Sequence, residues 1–266
     1  MADNKGYALI TGATSGLGLA YARWFAGAGY NLVVTGRRRQ VIEMRAEEIR
    51  REHGCNVRVV LADLAEKAGV DVLLESVRGL KIEVLVNNAG FGLKTSFADT
   101  AAEDMRHLLY LQTAAVAELT HYVLQGMRER NEGTVINISS DGAFAVIPGN
   151  VLYSATKRFI IELTEGLHME LAHTRIRVQA VCPGFMDSHF HESAGMAVDK
   201  GAKGIFAFRR PEDVAEDAMK DLARGKVVSI PDMGGKLFKA LGIFMPRKLY
   251  YRFAGRFADK SFRKSR

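Results

Sequence analysis

Short apolar runs alternate with longer stretches of helical period along most of the chain. The runs are Tyr7–Thr11, Tyr30–Gly36, Val57–Ala62, Glu83–Asn88, Thr134–Ile138, Arg175–Val181 and Lys226–Ile230, most of them rich in Val and Ile with little polar alternation. Strands buried on both faces read this way, as in a parallel sheet covered by helices. Between them, Leu17–Ala28, Arg38–His53, Glu66–Arg78, Ala101–Arg130, Val151–His173 and Pro211–Arg224 read as helices. Pro211 with Glu212 and Asp213 is a good helix start, since proline tolerates the first turn and acids suit its positive end. The alternation predicts an α/β fold: a doubly wound, mostly parallel seven-stranded sheet with helices on both faces. One segment, 185–208, breaks the alternation with no clean period, and it leaves the carboxyl end of an expected central strand. Such a place suits a substrate lid, or a plain surface excursion.

Composition narrows the class. The chain has 266 residues, 48% apolar and 25% charged, which is ordinary globular composition and excludes a disordered chain. No run approaches the roughly 18 apolar residues of a membrane-spanning helix. The start MADNKGYALI has no pattern of a secretory signal. Cys55 and Cys182 fit no metal spacing and read as reduced thiols, so a cytoplasmic protein without metal is expected. The net charge of +7 is unevenly placed: from Lys236 to Arg266 there are ten Lys or Arg and one acid, Asp259, so the tail carries +9 and the preceding 235 residues −2. The body is therefore no nucleic-acid surface. We divide the chain into one domain over 1–235 and a basic extension over 236–266.

After the first strand stands Thr11-Gly12-Ala13-Thr14-Ser15-Gly16-Leu17-Gly18, opening a helix. A strand, a glycine-rich turn and a helix N-terminus make an anion site, with N–H groups and the helix dipole favouring negative charge. The spacing is not G-x-G-x-x-G, and a tight turn alone would also use these glycines.

Further along come Asn87-Asn88-Ala89-Gly90, Ser140, Tyr153-Ser154-Ala155-Thr156-Lys157 and Pro183-Gly184. With the T-G-x-x-x-G-x-G turn, these five elements in this order resemble the short-chain dehydrogenase/reductase family, over about Tyr7 to Ile230. The resemblance implies a Rossmann-like fold, a nicotinamide cofactor, a small carbonyl or alcohol substrate and a homo-oligomer, dimer or tetramer. It implies cofactor contacts at Gly12, Thr14, Ser15, Gly16, Leu17, Gly18, Arg37, Arg38, Asp63, Asn88, Ala89, Gly90, Tyr153, Lys157, Pro183, Gly184, Phe185 and Ser188. An acid at the end of the second strand would hold a ribose 2′-hydroxyl and repel a 2′-phosphate. Here that strand ends in Gly36, followed by Arg37-Arg38-Arg39. Guanidinium forks suit phosphate, and cations at a helix N-terminus are unfavourable unless an anion is near, so NADP is expected over NAD. Ser15 could add a hydroxyl to the same phosphate, and Asp63, otherwise a helix cap, matches the family's adenine contact.

Tyr153 and Lys157 lie four apart in an expected helix and share a face. A phenol titrates near 10, and a nearby ammonium and the oxidised nicotinamide would both lower that value toward working pH. The resemblance makes Tyr153 the proton donor to the carbonyl oxygen, Lys157 its modulator and ribose ligand, and Ser140 a hydrogen-bond partner of the substrate oxygen. Gln112 falls where the family carries an asparagine that organises a water relay, so it is left out of the catalytic set. Cys182 reads as a small buried residue. His189 and His191 read as lid residues, and His121 and His168 as structural ones.

Phe91, Leu93, Phe144, Phe185, Met186, Phe190, Phe206 and Phe208 would line an apolar pocket for an acyl-chain or steroid-like ketone, or pack the lid onto the core. In the tail, Leu249, Phe253 and Phe257 form an apolar stripe beside Arg252, Arg256 and Lys260, a basic amphipathic helix. It would dock on anionic lipid, meet an acidic partner, cover an oligomer interface or pack on the body. The expected activity is NADPH-dependent reduction of a ketone or aldehyde; the rival is a catalytically weak NADP-binding sensor.

Overall fold

The computed structural model describes residues 5–93, 95–145, 149, 151–186 and 208–252. Seven strands form one sheet: β1 Tyr7–Thr11, β2 Asn31–Gly36, β3 Val57–Leu61, β4 Ile82–Asn87, β5 Glu132–Ile138, β6 Arg175–Val181 and β7 Val228–Ser229. Their order is β3-β2-β1-β4-β5-β6-β7, and every pairing is parallel. The direction of winding reverses between β1 and β4, which opens a crevice at the carboxyl ends of those strands.

The helices are α1 Gly16–Gly27, α2 Arg39–His53, α3 Lys67–Ser76, α4 Ala102–Leu109, α5 Ala115–Arg130, α6 Val151–Glu170, α7 Pro211–Ala223 and α8 Met233–Phe244. Alternate residues of each central strand feed opposite layers, which is why the strands read as unbroken apolar runs. Ala8, Ile10, Leu32, Val34, Val84 and Val86 pack with α1, α2 and α7. Leu9, Val33 and Leu85 pack on the other face with α3 and α5.

Three elements differ from the sequence pattern. The helix expected over Ala101–Arg130 is broken by a π-helical turn at Tyr110–Ala114, with Gln112 inside it. The strand expected over Lys226–Ile230 is two residues long. α8, which the pattern does not mark, runs across position 235/236; a Cβ built at its Gly235 would stand 3.1 Å from Asp141 Cβ. Residues 247–252 are helical again, with Leu249 facing solvent. Among the described residues no helix is long and apolar enough to cross a membrane.

A buried polar relay crosses the middle of the sheet. Register sets Asn87 of β4 beside Asn137 of β5. Asn87 Nδ2 donates to Thr120 Oγ1 of α5 at 3.0 Å and to Asn137 Oδ1 at 2.9 Å. Asn137 Nδ2 donates in turn to Thr164 Oγ1 of α6 at 3.0 Å. The relay ties α5 and α6 to the two strands that carry the site.

Candidate active site

Because every strand points the same way, the motif segments all emerge at one edge of the sheet. The glycine turn follows β1, Arg37 and Arg38 follow β2, and Asp63 follows β3. Asn88-Ala89-Gly90 follows β4, Ser140 follows β5, and Pro183-Gly184 follows β6. Chain topology thus gathers residues more than 170 positions apart.

In the turn, Gly12 and Gly16 have positive φ of 68° and 56°, open to glycine without strain. A Cβ at Gly18 would stand 2.4 Å from the Gly12 carbonyl oxygen, so α1 sits directly on the turn. Ser15, the N-cap of α1, makes no side-chain cap bond, leaving first-turn N–H groups for an anion. Leu17 is buried in the core, so only its main chain can serve a ligand. Asn88 braces the turn: its Nδ2 donates to the carbonyls of Thr11 and Gly12 at 2.9 and 3.1 Å. Its N–H and that of Ala89 both donate to Thr11 Oγ1 at 2.9 Å.

A nicotinamide dinucleotide fits this edge. The open α1 N-terminus suits a pyrophosphate. A side chain at Gly36 would meet Thr14 Cγ2 at 2.8 Å, and the exposed guanidinium groups follow immediately. Arg38 Nη2 donates to Thr14 Oγ1 at 3.1 Å. Arg37 Nη1 lies 3.4 Å from Asp63 Oδ2, both largely exposed, an ion pair worth little in water. Asp63 Oδ1 also accepts the Ala65 N–H at 3.0 Å, the bond of a local turn. α2 starts with Arg38 at its N-cap and no acid in its first turn, which favours a bound anion there.

Ser140, Tyr153 and Lys157 come together beneath this edge. The Ser140 hydroxyl hydrogen-bonds the Tyr153 phenol and accepts the Gly142 N–H at 3.1 Å. Lys157 Nζ lies 5.5 Å from the Tyr153 ring centre. It donates to the Ile138 carbonyl at 2.9 Å, near the floor under Gly90, where a Cβ would stand 3.6 Å from it. The expectation that the amine acidifies the phenol does not hold for the protein alone. Burial pushes the phenol above its ordinary value, and the Asp141 charge adds to the rise. Burial also pulls the Lys157 amine down to about 8. The amine is turned to the main-chain oxygen of Ile138.

The contacts of Gln112 and the pairing of Asp141 with Asp232 lay outside the sequence reading. Gln112 is fully buried; its Nε2 donates to the Phe91 carbonyl, and its Oε1 lies 3.1 Å from Thr156 Oγ1. It therefore clamps the loop after β4 to the helix carrying Tyr153. Asp141 and Asp232 face Gly184 from two sides. Only the nearness of far segments reveals either.

A shallow surface cleft, with room of about 10 Å³, lies beside Tyr153, lined by Leu93, Thr95, Phe97, Thr100, Gly149, Val151 and Leu152. Of the apolar pocket candidates, Leu93 lines it. Phe91, Phe144 and Met186 instead pack against core clusters. Phe185 and Phe208 pack with tilted rings, their centres 5.8 Å apart, and the Arg209 N–H donates to the Phe185 carbonyl at 3.1 Å. The two ends of segment 185–208 are thus clasped. Ser188, His189, Phe190, His191, Phe206, Phe253, Arg256, Phe257 and Lys260 lie outside the described residues. Cys182 is buried and its thiol is pushed up to about 12, in keeping with packing over nucleophilic use.

Glycine turn, strand-end crevice and Ser-Tyr-Lys cluster define a dinucleotide-binding oxidoreductase site. The short chain dehydrogenase family matches residues 6–199, and the chain belongs to the short-chain dehydrogenase/reductase family. It is similar to a very-long-chain 3-oxoacyl-CoA reductase of Anas platyrhynchos, 33% identical over 199 residues, covering 73% of this chain but 64% of that one. It is also similar to an NADP-dependent 3-hydroxy acid dehydrogenase of Escherichia coli, 34% identical over 218 residues, covering 78% and 85% of the two chains. Among solved structures, a short-chain dehydrogenase from Sphingobium yanoikuyae in complex with NADPH superposes with a TM-score of 0.79 at 28% identity. It covers 98% of this chain and 96% of that one.

Proposed function

We propose that this chain is an NADPH-dependent carbonyl reductase, running the reverse alcohol oxidation when NADP+ is supplied. The observation that carries the reading is the Ser140 hydroxyl on the Tyr153 phenol, with the buried Lys157 amine one helical turn on and 5.5 Å from the ring centre. The NADPH bound by the Sphingobium enzyme and the NADP dependence of the Escherichia coli enzyme support the cofactor choice, as do Gly36 and the arginines after it.

The glycine turn with Ser15 would hold the pyrophosphate, Arg37 and Arg38 the 2′-phosphate, and Lys157 with the Pro183-Gly184 turn the nicotinamide end. When bound, the reduced nicotinamide supplies the hydride and, once oxidised, a positive charge beside the phenol. Tyr153 donates its proton to the carbonyl oxygen as charge gathers there. Ser140 hydrogen-bonds the same oxygen and stabilises that charge. Lys157 would hold the nicotinamide ribose, and its ammonium charge would favour the phenolate one helical turn away. Gln112 keeps the Phe91 loop, at the side of the cleft, in register with Tyr153.

The apolar side chains of Leu93, Phe97, Val151 and Leu152 beside Tyr153 suit an apolar ketone, and the 3-oxoacyl and 3-hydroxy acid chemistry in the two relatives' names supports the acyl choice. The test is NADPH oxidation on a panel of apolar ketones by wild type and Tyr153→Phe. Wild type should turn over at least one ketone, and the variant should lose roughly 10²- to 10⁴-fold in kcat, the contribution of a general acid. A wild type that binds NADPH and oxidises it with no ketone would establish the sensor reading instead.

For the basic end we propose docking on an anionic membrane surface by a homo-oligomer in the cytoplasm. Ile243, Phe244, Leu249 and Tyr251 are exposed there beside Arg247, Lys248 and Arg252, a combination suited to interfacial binding. Co-sedimentation with phosphatidylserine vesicles should fall when Lys248 and Arg252 are both changed to Glu; unchanged pelleting would exclude it.

A further inference from the structure

Asp141 follows Ser140 and opens the 3₁₀ turn Asp141–Ala143. Its N–H donates to the Pro183 carbonyl at 2.9 Å, pinning the turn to the loop after β6. Ser140 Oγ lies 3.2 Å from Asp141 Oδ1. The other carboxylate oxygen faces Gly184: a Cβ there would stand 3.1 Å from Asp141 Oδ2 and 3.4 Å from Asp232 Oδ2. Asp232, at the start of α8, is held by the Gly184 N–H at 2.8 Å and by Arg209 Nη1 at 3.7 Å.

The surroundings leave Asp141 without a cation of its own among the described residues. From its own turn it meets the Ser140 hydroxyl and the Gly142 N–H. From the start of α8 comes the Asp232 carboxylate, from α6 the Tyr153 phenol, and from the end of β6 the Cys182 thiol. Lys157 is turned to Ile138, Arg209 pairs with Asp217 at 2.8 Å, and Lys239 lies over the Phe144 ring. Burial, with the Asp232 charge, pushes the Asp141 carboxyl up to about 6.

A serine hydroxyl has one hydrogen to give. Ionised, Asp141 can only accept, so it draws that hydrogen backward, and Ser140 turns lone pairs to Gly142 N–H and the phenol. Its charge also opposes the negative charge that gathers on a reduced carbonyl oxygen. Protonated, Asp141 carries its own hydrogen and frees that of Ser140 for the cleft. We propose that Asp141 is a positioning residue acting through Ser140: its carboxyl decides whether the serine hydroxyl donates into the protein or to the substrate oxygen, and reduction is fastest with that carboxyl protonated. The inference rests on Ser140 and Tyr153 being the reacting pair.

The test follows kcat/KM for the ketone best turned over by the full chain with NADPH, between pH 5 and 8. Wild type should fall by about five-fold or more through an inflection near pH 6. Asp141→Asn, a neutral isostere, should lose the inflection and exceed wild type at pH 8. Asp232→Asn should keep the inflection but move it to lower pH, because it removes the like charge. An Asp141→Asn protein that retains the wild-type inflection, or an Asp232→Asn protein whose inflection stays in place, overturns the proposal. Tyr153→Phe separates the two levels. If it stays as active as wild type, the reacting pair is wrong and this inference goes with it. If it is inactive while Asp141→Asn keeps the wild-type profile, only the role of Asp141 is lost.

Discussion

Lys157 Nζ donates to the main-chain carbonyl of Ile138, 19 residues earlier at the end of β5, at 2.9 Å. The amine is buried and holds its proton only below about pH 8. An unfolded lysine holds its proton to about 10.4, so between these values the unfolded chain binds more protons and native stability rises with pH. Each unit is worth about 1.4 kcal/mol, so the whole window amounts to about 3 kcal/mol. Thermal unfolding of wild type and Lys157→Met should show wild-type Tm gaining on the variant from pH 7.5 to 10. A constant gap would mean that burial does not lower the amine in the native state.

Gln112 offers a second measurement. Leucine at this position would leave the Phe91 carbonyl without its partner, while Thr156 Oγ1 keeps its bond to the Tyr153 carbonyl at 2.9 Å. An abandoned, largely buried acceptor costs about 1–3 kcal/mol. Gln112→Leu should lose stability on that scale in urea and lower kcat more than it raises the ketone KM, since the loop beside Tyr153 is released. Asparagine, shorter by a methylene, should retain one bond and fall between the two. A Gln112→Leu protein with wild-type stability would remove the clamp.

We propose that the arginine after Gly36 sets cofactor preference. Replacing Arg37 by Asp removes a charge-assisted donor worth about 1.5–3 kcal/mol and adds repulsion. KM for NADPH should rise by roughly 10- to 100-fold, with NADH little changed. An unchanged ratio of the two specificity constants would place the 2′-phosphate elsewhere.

The buried relay through Asn87, Asn137, Thr120 and Thr164 should behave as a unit. Asn137→Ala unpairs groups on both sides of it and should cost about 2–4 kcal/mol, and Thr164→Val about 1 kcal/mol. In a double-mutant cycle by urea unfolding the two costs should not add. Additive costs would show that the strand–helix ties act independently.

Much of the fold was legible because it rests on local chemistry. Val- and Ile-rich runs such as Val57–Leu61, the acid-rich start of α7 and the T-G-x-x-x-G-x-G turn each state their conformation within a few residues. What escaped depends on longer reach. α8 opens Met233-Gly234-Gly235, a poor helix signal, and it forms where Gly235 allows the backbone to lie against Asp141. The π-helical turn at Tyr110–Ala114 breaks a stretch of continuous helical period; nothing in that spacing marks it.

The place of Ser140 came from the family resemblance, while the type of the strands, the phosphate-ready turn, and the shared face of Tyr153 and Lys157 were properties of the linear chain. They follow from side-chain period and from parallel strands all ending on the same side. The direction of the Lys157 amine, the elevated phenol, the Gln112 clamp and the facing carboxylates of Asp141 and Asp232 belonged to the folded molecule. Each arises from groups brought within a few ångströms by packing, where burial and neighbouring charge outweigh what a residue's type and spacing can foretell.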